Sequence, residues 1–277
     1  EECLFQFVQS SVQRFEGCLK KSVTRTGYTR IVSMKNVKLT IEFDGTNYHG
    51  WQSQKNAITV QDVITEAITK VTGENCQLTG ASRTDAGVHA LGFVANFRTS
   101  SSIPAEKFSF VLNTCLPPDI VVKNSEEVDM SFHARFSAVS KRYRYIFLNS
   151  KHPSALYRNR VFHVPWRLDV DAMREAALFF KGTHDFSAFR ASGASTETSV
   201  RTMYDVSLTQ KDEMIIFEVE GNGFLYNMVR IMAGTLVDVG LGKIAAERIA
   251  GILKNGERNM AGRTAPPQGL YLVCVNY

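Results

Sequence analysis

Val37-Lys38-Leu39-Thr40-Ile41-Glu42-Phe43 runs into Asp44-Gly45-Thr46-Asn47. A short polar interval later comes Thr59-Val60-Gln61-Asp62-Val63-Ile64-Thr65-Glu66-Ala67-Ile68-Thr69-Lys70-Val71-Thr72-Gly73. The first seven residues alternate apolar and polar with period two, the mark of a half-buried strand. The next four are turn chemistry. The last stretch changes period. Val60, Val63, Ile64, Ala67, Ile68 and Val71 form one helical stripe, Thr59 is a plausible N-cap with Asp62 three residues on, and Gly73 stops the helix. A strand and an amphipathic helix this close together predict a fold that mixes both.

The same alternation of periods continues outward. Strands are expected over 77–79, 88–97, 120–122, 142–148 and 271–275. A further antiparallel pair, 203–209 and 214–220, is joined by Gln210-Lys211-Asp212. Helices are expected from Pro104 to the Pro117-Pro118 stop, and over 169–180, 224–239 and 245–253. The elements divide into two α+β halves, 34–135 and 136–277, with a seam near 131–140. Each half has the element content of a ferredoxin-like unit, an antiparallel sheet with helices on one face.

Residues 1–33 stand apart. Met34 is the first methionine and strong patterning begins after it. The stretch is expected to be an N-terminal extension outside the fold, against the alternative of a helix built on Phe5, Val8, Val12 and Phe15. It lacks the basic n-region of a signal peptide. No run in the chain reaches the roughly 18 apolar residues of a membrane helix. The five cysteines are scattered without a C-x-x-C pair, which points to reduced thiols in a cytoplasmic protein. With 32 Lys and Arg against 27 Asp and Glu, the net charge of +5 permits an acidic partner without requiring one.

Several chemistries are excluded by spacing. Gly221-Asn222-Gly223 has Tyr226 where a dinucleotide fingerprint needs its third glycine. Gly242-Lys243 is followed by Ile244, so it is no phosphate-binding P-loop. The six histidines show no metal-ligand spacing, and there is no G-x-S-x-G elbow. No cofactor and no metal are expected, and the chemistry falls to ordinary acid, base and nucleophile side chains.

Three constellations could carry it. Ala81-Ser82-Arg83-Thr84-Asp85-Ala86-Gly87-Val88-His89 is a polar loop between strands. Its Asp85 reads either as a carboxylate projected into a cleft or as a turn residue bonding its own backbone. Arg142-Tyr143-Arg144-Tyr145 on a strand sends two arginines to one face and two tyrosines to the other. That pattern suits RNA, with cations for phosphate and rings for an unpaired base. It equally suits a solvated edge strand with tyrosines packed inward. Arg230 is the one charge between Phe224 and Val237. It either snorkels to the surface or is buried as the partner of a functional acid, whose ionised form it would favour.

Read together, these segments resemble the tRNA pseudouridine synthase A (TruA) family. The likeness runs in order from Lys38 to Tyr277. It is carried by Glu42-Phe43-Asp44-Gly45-Thr46-Asn47-Tyr48-His49-Gly50-Trp51-Gln52 and Ser82-Arg83-Thr84-Asp85-Ala86-Gly87-Val88-His89-Ala90. Phe132-His133-Ala134-Arg135-Phe136-Ser137-Ala138, Lys141-Arg142-Tyr143-Arg144-Tyr145, Asp185-Phe186-Ser187-Ala188-Phe189-Arg190, Phe224-Leu225-Tyr226-Asn227-Met228-Val229-Arg230 and Gln268-Gly269-Leu270-Tyr271-Leu272-Val273 continue it.

The resemblance implies two RRM-like halves joined into a continuous, mostly antiparallel sheet around a central basic cleft, in a homodimer. It implies a cofactor-free isomerisation of uridine to pseudouridine at positions 38, 39 and 40 of the tRNA anticodon arm. By the same carry-over Asp85 is the catalytic aspartate, Arg83 helps to hold the flipped nucleotide, and Tyr143 stacks on the uracil. Arg230 pairs with the carboxylate and Leu270 lines the uracil pocket. Arg142, Arg144 and Arg190 are further candidates for RNA contact. Ser82 and Tyr226-Asn227 depart from residues common in the family, without touching the acid, the arginine or the tyrosine. The rival readings are a non-catalytic tRNA-binding protein on the same scaffold and an aspartate-nucleophile hydrolase of a small molecule. Residues 1–33 hold five Lys and Arg against three Glu, so the body carries only +3. An RNA-binding cleft in it must gather its cations locally.

Overall fold

Thr59 caps the first helix as its position suggests. Its side chain accepts from the backbone N–H of Asp62, and α1 (Val60–Thr72) ends on Gly73 in the left-handed conformation. Before it, β1 (Lys35–Phe43) buries Val37, Leu39, Ile41 and Phe43 completely or nearly so. The computed structural model describes residues 33–193 and 198–277. The extension expected over 1–33 therefore lies, but for Ser33, outside the described residues.

The other strands are β2 (Thr79–Gly80), β3 (His89–Thr99), β4 (Ile120–Val128), β5 (Ser140–Asn149), β6 (Phe162–Val164), β7 (Gly182–Asp185), β8 (Val200–Lys211), β9 (Met214–Gly221) and β10 (Leu270–Asn276). The helices after α1 are α2 (Phe108–Asn113), α3 (Val170–Leu178), α4 (Met228–Gly240) and α5 (Arg248–Asn255). One ten-stranded sheet results, in the order β4-β1-β3-β10-β5-β9-β8-β7, with β2 added beside β3 and β6 beside β5. All pairings are antiparallel except β10 with β3 and β6 with β5. The fold is thus mixed α and β on a large, mostly antiparallel sheet.

The last strand lies in the middle. β10 pairs Tyr271 with His89 of β3 on one side, and Leu270 and Leu272 with Tyr145 and Tyr143 of β5 on the other. The polar loop before β3, Tyr143 and Leu270 are brought together by this arrangement.

Three departures from the expected elements have local causes. β4 runs on to Val128 because Lys123-Asn124-Ser125-Glu126-Glu127 borders an edge strand. It pairs only with β1; Lys123, Asn124, Glu126 and Glu127 stay solvated, while Ser125 turns inward and accepts from Ser109 N–H (2.8 Å). β6 and β7 are three and four residues long and carry too little alternation to read. The helix expected from Phe224 starts instead at Met228, because Asn227 adopts a left-handed conformation (φ 59°). Residues Phe224 to Asn227 are thereby freed to build the wall described below.

Candidate active site

The loop before β3 is held from behind by the segment after β1. The backbone N–H of Trp51 donates to Thr84 O (3.2 Å) and that of Gly87 to Tyr48 O (3.2 Å). Gly50 sits at φ +83°, and a Cβ there would lie 2.2 Å from Thr84 O. Only glycine serves both the conformation and the close approach. Gly50→Ala is expected to lower stability by about 2 kcal/mol or more, read from the midpoint of urea unfolding. An unshifted midpoint would mean that the loop is not pinned there.

Asp85 leaves this loop toward a cleft of about 670 Å³. Of its two readings, projection into the cleft is what the structure shows: Asp85 Oδ2 accepts from the Arg230 guanidinium at 3.0 Å. Arg230 does not snorkel. Its Nε donates to Ala265 O (2.8 Å), and its Nη1 also donates to Asn227 Oδ1 (2.7 Å). The left-handed Asn227 that delays α4 therefore also orients the arginine, one turn on. The backbone joins in, with Ala265 N–H donating to Arg230 O at 3.0 Å. This contact needs Gly234, where a Cβ would lie 1.8 Å from Arg263 O. Both charges are mostly buried, with side chains 23% exposed for Asp85 and 16% for Arg230, so the pair is poorly screened by solvent.

Tyr143 forms the opposing wall. Its ring is buried and meets Phe224 edge-on (centroids 4.8 Å apart, planes at 74°). Its hydroxyl shares a hydrogen bond with Ser82 Oγ (3.1 Å). Burial, with the nearby Asp85 charge adding to it, pushes this phenol up to about 12, so it stays neutral at physiological pH. Leu270 is buried and lines the same cleft, as does the exposed Arg83 at its mouth. Thr84 Oγ1, also in the lining, is buried with no hydrogen-bond partner among the described residues.

The structure does not bring Arg142, Arg144 or Arg190 to this cleft. Strand alternation puts the first two on the face away from Tyr143. There Arg142 pairs with Glu220 (2.7 Å) and Arg144 with Glu218 (2.8 Å), their cross-strand neighbours. Arg190 follows the short turn after β7, where its charge acts on Asp185. His89 turns away as well. Its Nδ1 accepts from Gly45 N–H (3.1 Å), its Nε2 lies 2.9 Å from Asn159 O, and burial pushes its pKa down.

Sequence reasoning gave Lys141 no role, yet it enters the lining. Its amine donates to Ala81 O (2.7 Å), and burial, with Arg135 nearby, lowers its pKa to about 8. Its proximity to Arg142 in sequence was visible; its burial depends on packing across the loop. Among the described residues no three His, Cys, Asp or Glu side chains are placed to hold a metal ion.

The geometry offers one carboxylate held by one guanidinium, an apolar and aromatic slot beside it, and cations at the rim. Such a slot suits a planar ring brought against an ionised acid. The family model for tRNA pseudouridine synthase matches residues 39–137 and 176–277. The tRNA pseudouridine synthase A of Acetivibrio thermocellus is 62% identical over 244 residues, covering 88% of this chain and all of that protein. The enzyme of the same name from Ruminiclostridium cellulolyticum is 56% identical over 245 residues, covering 88% of this chain and all of its own.

Proposed function

The chain belongs to the tRNA pseudouridine synthase A family, and on that premise we propose that it isomerises uridine to pseudouridine at positions 38, 39 and 40 of the tRNA anticodon arm, with Asp85 as the catalytic carboxylate. The observation that carries the assignment of Asp85 is its charge pair with Arg230 at the floor of the cleft.

In the reaction the N1–C1′ bond of the target nucleotide breaks, the uracil turns, and C5 bonds to C1′. The proton on C5 leaves and N1 gains one, so the product is an isomer and nothing is consumed. An ionised carboxylate serves each path open to such a step: addition at uracil C6, attack on C1′, or removal of a sugar proton. Arg230 holds Asp85 in place through the hydrogen-bonded ion pair. The uridine must first leave its stack, at a cost of a few kcal/mol. Tyr143 returns part of that cost by stacking, Leu270 closes the slot, and Arg83 at the mouth meets the phosphate of the flipped nucleotide. The enzyme acts in the cytoplasm as a homodimer, with residues 34–135 and 136–277 as its two domains.

Tyr143 supplies the first test. Tyr143→Phe keeps the ring and loses only the bond to Ser82, so activity on unmodified tRNA is expected to stay within about tenfold. Because the hydroxyl titrates near 12, the pH profile between 6 and 9 should be the same for both proteins. Tyr143→Leu removes the stack and should cost about 10- to 100-fold in kcat/KM. A leucine variant as active as wild type would remove the ring from its role. A full-length protein that makes no pseudouridine in tRNA, while binding it, would favour the non-catalytic reading.

A further inference from the structure

Phe132-His133-Ala134-Arg135-Phe136-Ser137-Ala138 takes no part in the chemistry above, yet His133, Arg135 and Phe136 line the cleft. The turn is anchored with unusual care. Asn36 of β1 and Asn96 of β3 are buried, and their side-chain amides bond to each other (2.9 Å). Asn36 also donates to Phe132 O (3.0 Å) and to Asp129 O (2.9 Å), and Asn96 Oδ1 accepts from Ala134 N–H (2.9 Å). Tyr277 donates to Ala134 O at 2.7 Å. Buried polar networks of this kind rigidify what they hold.

They hold an aromatic ring in water. Phe136 is 75% exposed. Its ring lies 4.3 Å from that of His133 at 33°, and the Arg135 guanidinium sits 5.4 Å from its centroid. His133 Nδ1 accepts from both Arg135 N–H (3.1 Å) and Phe136 N–H (3.2 Å), which locks the tip. Two basic residues, Arg135 and Lys141, share the cleft lining with it. Neither Arg135 nor Lys141 has a carboxylate within ion-pair distance among the described residues, whereas the arginines on the far face of β5 are both paired. Lys141 spends one of its three N–H donors on Ala81 O.

We infer that this turn is a second nucleotide subsite: the base next to the isomerised uridine stacks on Phe136, and its phosphate is met by Arg135 and Lys141. The inference rests on the reading of the cleft as a tRNA site. Expelling the target uridine unstacks its neighbour, and a rigid ring beside unpaired cations matches what that neighbour has lost.

The test uses the full chain, with unmodified tRNA as the probe in both turnover and filter-binding assays. Phe136→Ala should raise KM and the Kd for tRNA about 10- to 100-fold, with kcat within a few-fold. Phe136→Tyr should restore both constants and Phe136→Leu should not. Because the ring is exposed, all three variants should melt with the wild type. Arg135→Gln should flatten the dependence of log K on log salt by about 0.7 to 0.9, one phosphate contact. An alanine variant that binds like wild type, or a leucine that rescues as well as tyrosine, would overturn the subsite. A wild-type protein that makes no pseudouridine would instead overturn the catalytic reading, and the binding arm would still judge Phe136.

Discussion

Asp85→Asn is expected to abolish pseudouridine formation, by about 10³-fold or more in single-turnover rate, while leaving tRNA affinity near that of wild type. The substitution keeps size and a hydrogen-bond acceptor for Arg230, so the cleft should survive. It removes the negative charge, and every path open to a single acid requires that charge. Filter binding and thermal melting alongside the rate measurement separate loss of chemistry from loss of fold. An asparagine variant within tenfold of wild type would mean that another group acts, and among the described residues the cleft lining holds no second carboxylate.

Arg230 should matter almost as much, but with a different signature. Its guanidinium bridges three acceptors: Asp85, Asn227 and the Ala265 carbonyl. A lysine ammonium at the end of an unforked chain cannot reproduce that planar set. Arg230→Lys is expected to slow the single-turnover rate by about 10²-fold, with a stability loss of about 1–3 kcal/mol from acceptors left unpaired. Arg230→Met should lose more on both counts. Urea unfolding and single-turnover assays on the same samples read the two effects. Full activity in the lysine variant would show that charge alone, without the fork, is enough.

Much of this is legible in the sequence alone. The Thr59 cap, the Gly73 stop and the period-two runs depend on neighbours in sequence, and they appear where the residues place them. The need for a partner at Arg230 was also legible, since a guanidinium inside an apolar helix is costly unless paired. What was hidden depends on contacts across long separations. The left-handed Asn227 makes sense only once Arg230 and Asp85, 145 residues apart, are seen to meet. Arg142 and Arg144 read as cations beside the tyrosines, and only the pairing of β5 with β9 shows Glu220 and Glu218 opposite them, on the face away from Tyr143. Lys141 and the Asn36–Asn96 pair show no pattern of their own, and their burial is a property of the sheet. The resemblance to a family supplied Tyr143 and Leu270 as partners for Asp85. The central position of β10 gives the physical reason that they meet.

The most direct test of the central claim is a single-nucleotide chemical map of pseudouridine in unmodified tRNA, after incubation with the full-length protein or with Asp85→Ala and no added cofactor. The expected map has new pseudouridine at positions 38, 39 and 40 with the wild type and none with the variant. Modification by Asp85→Ala, or a wild-type map blank at all three positions, would contradict the account.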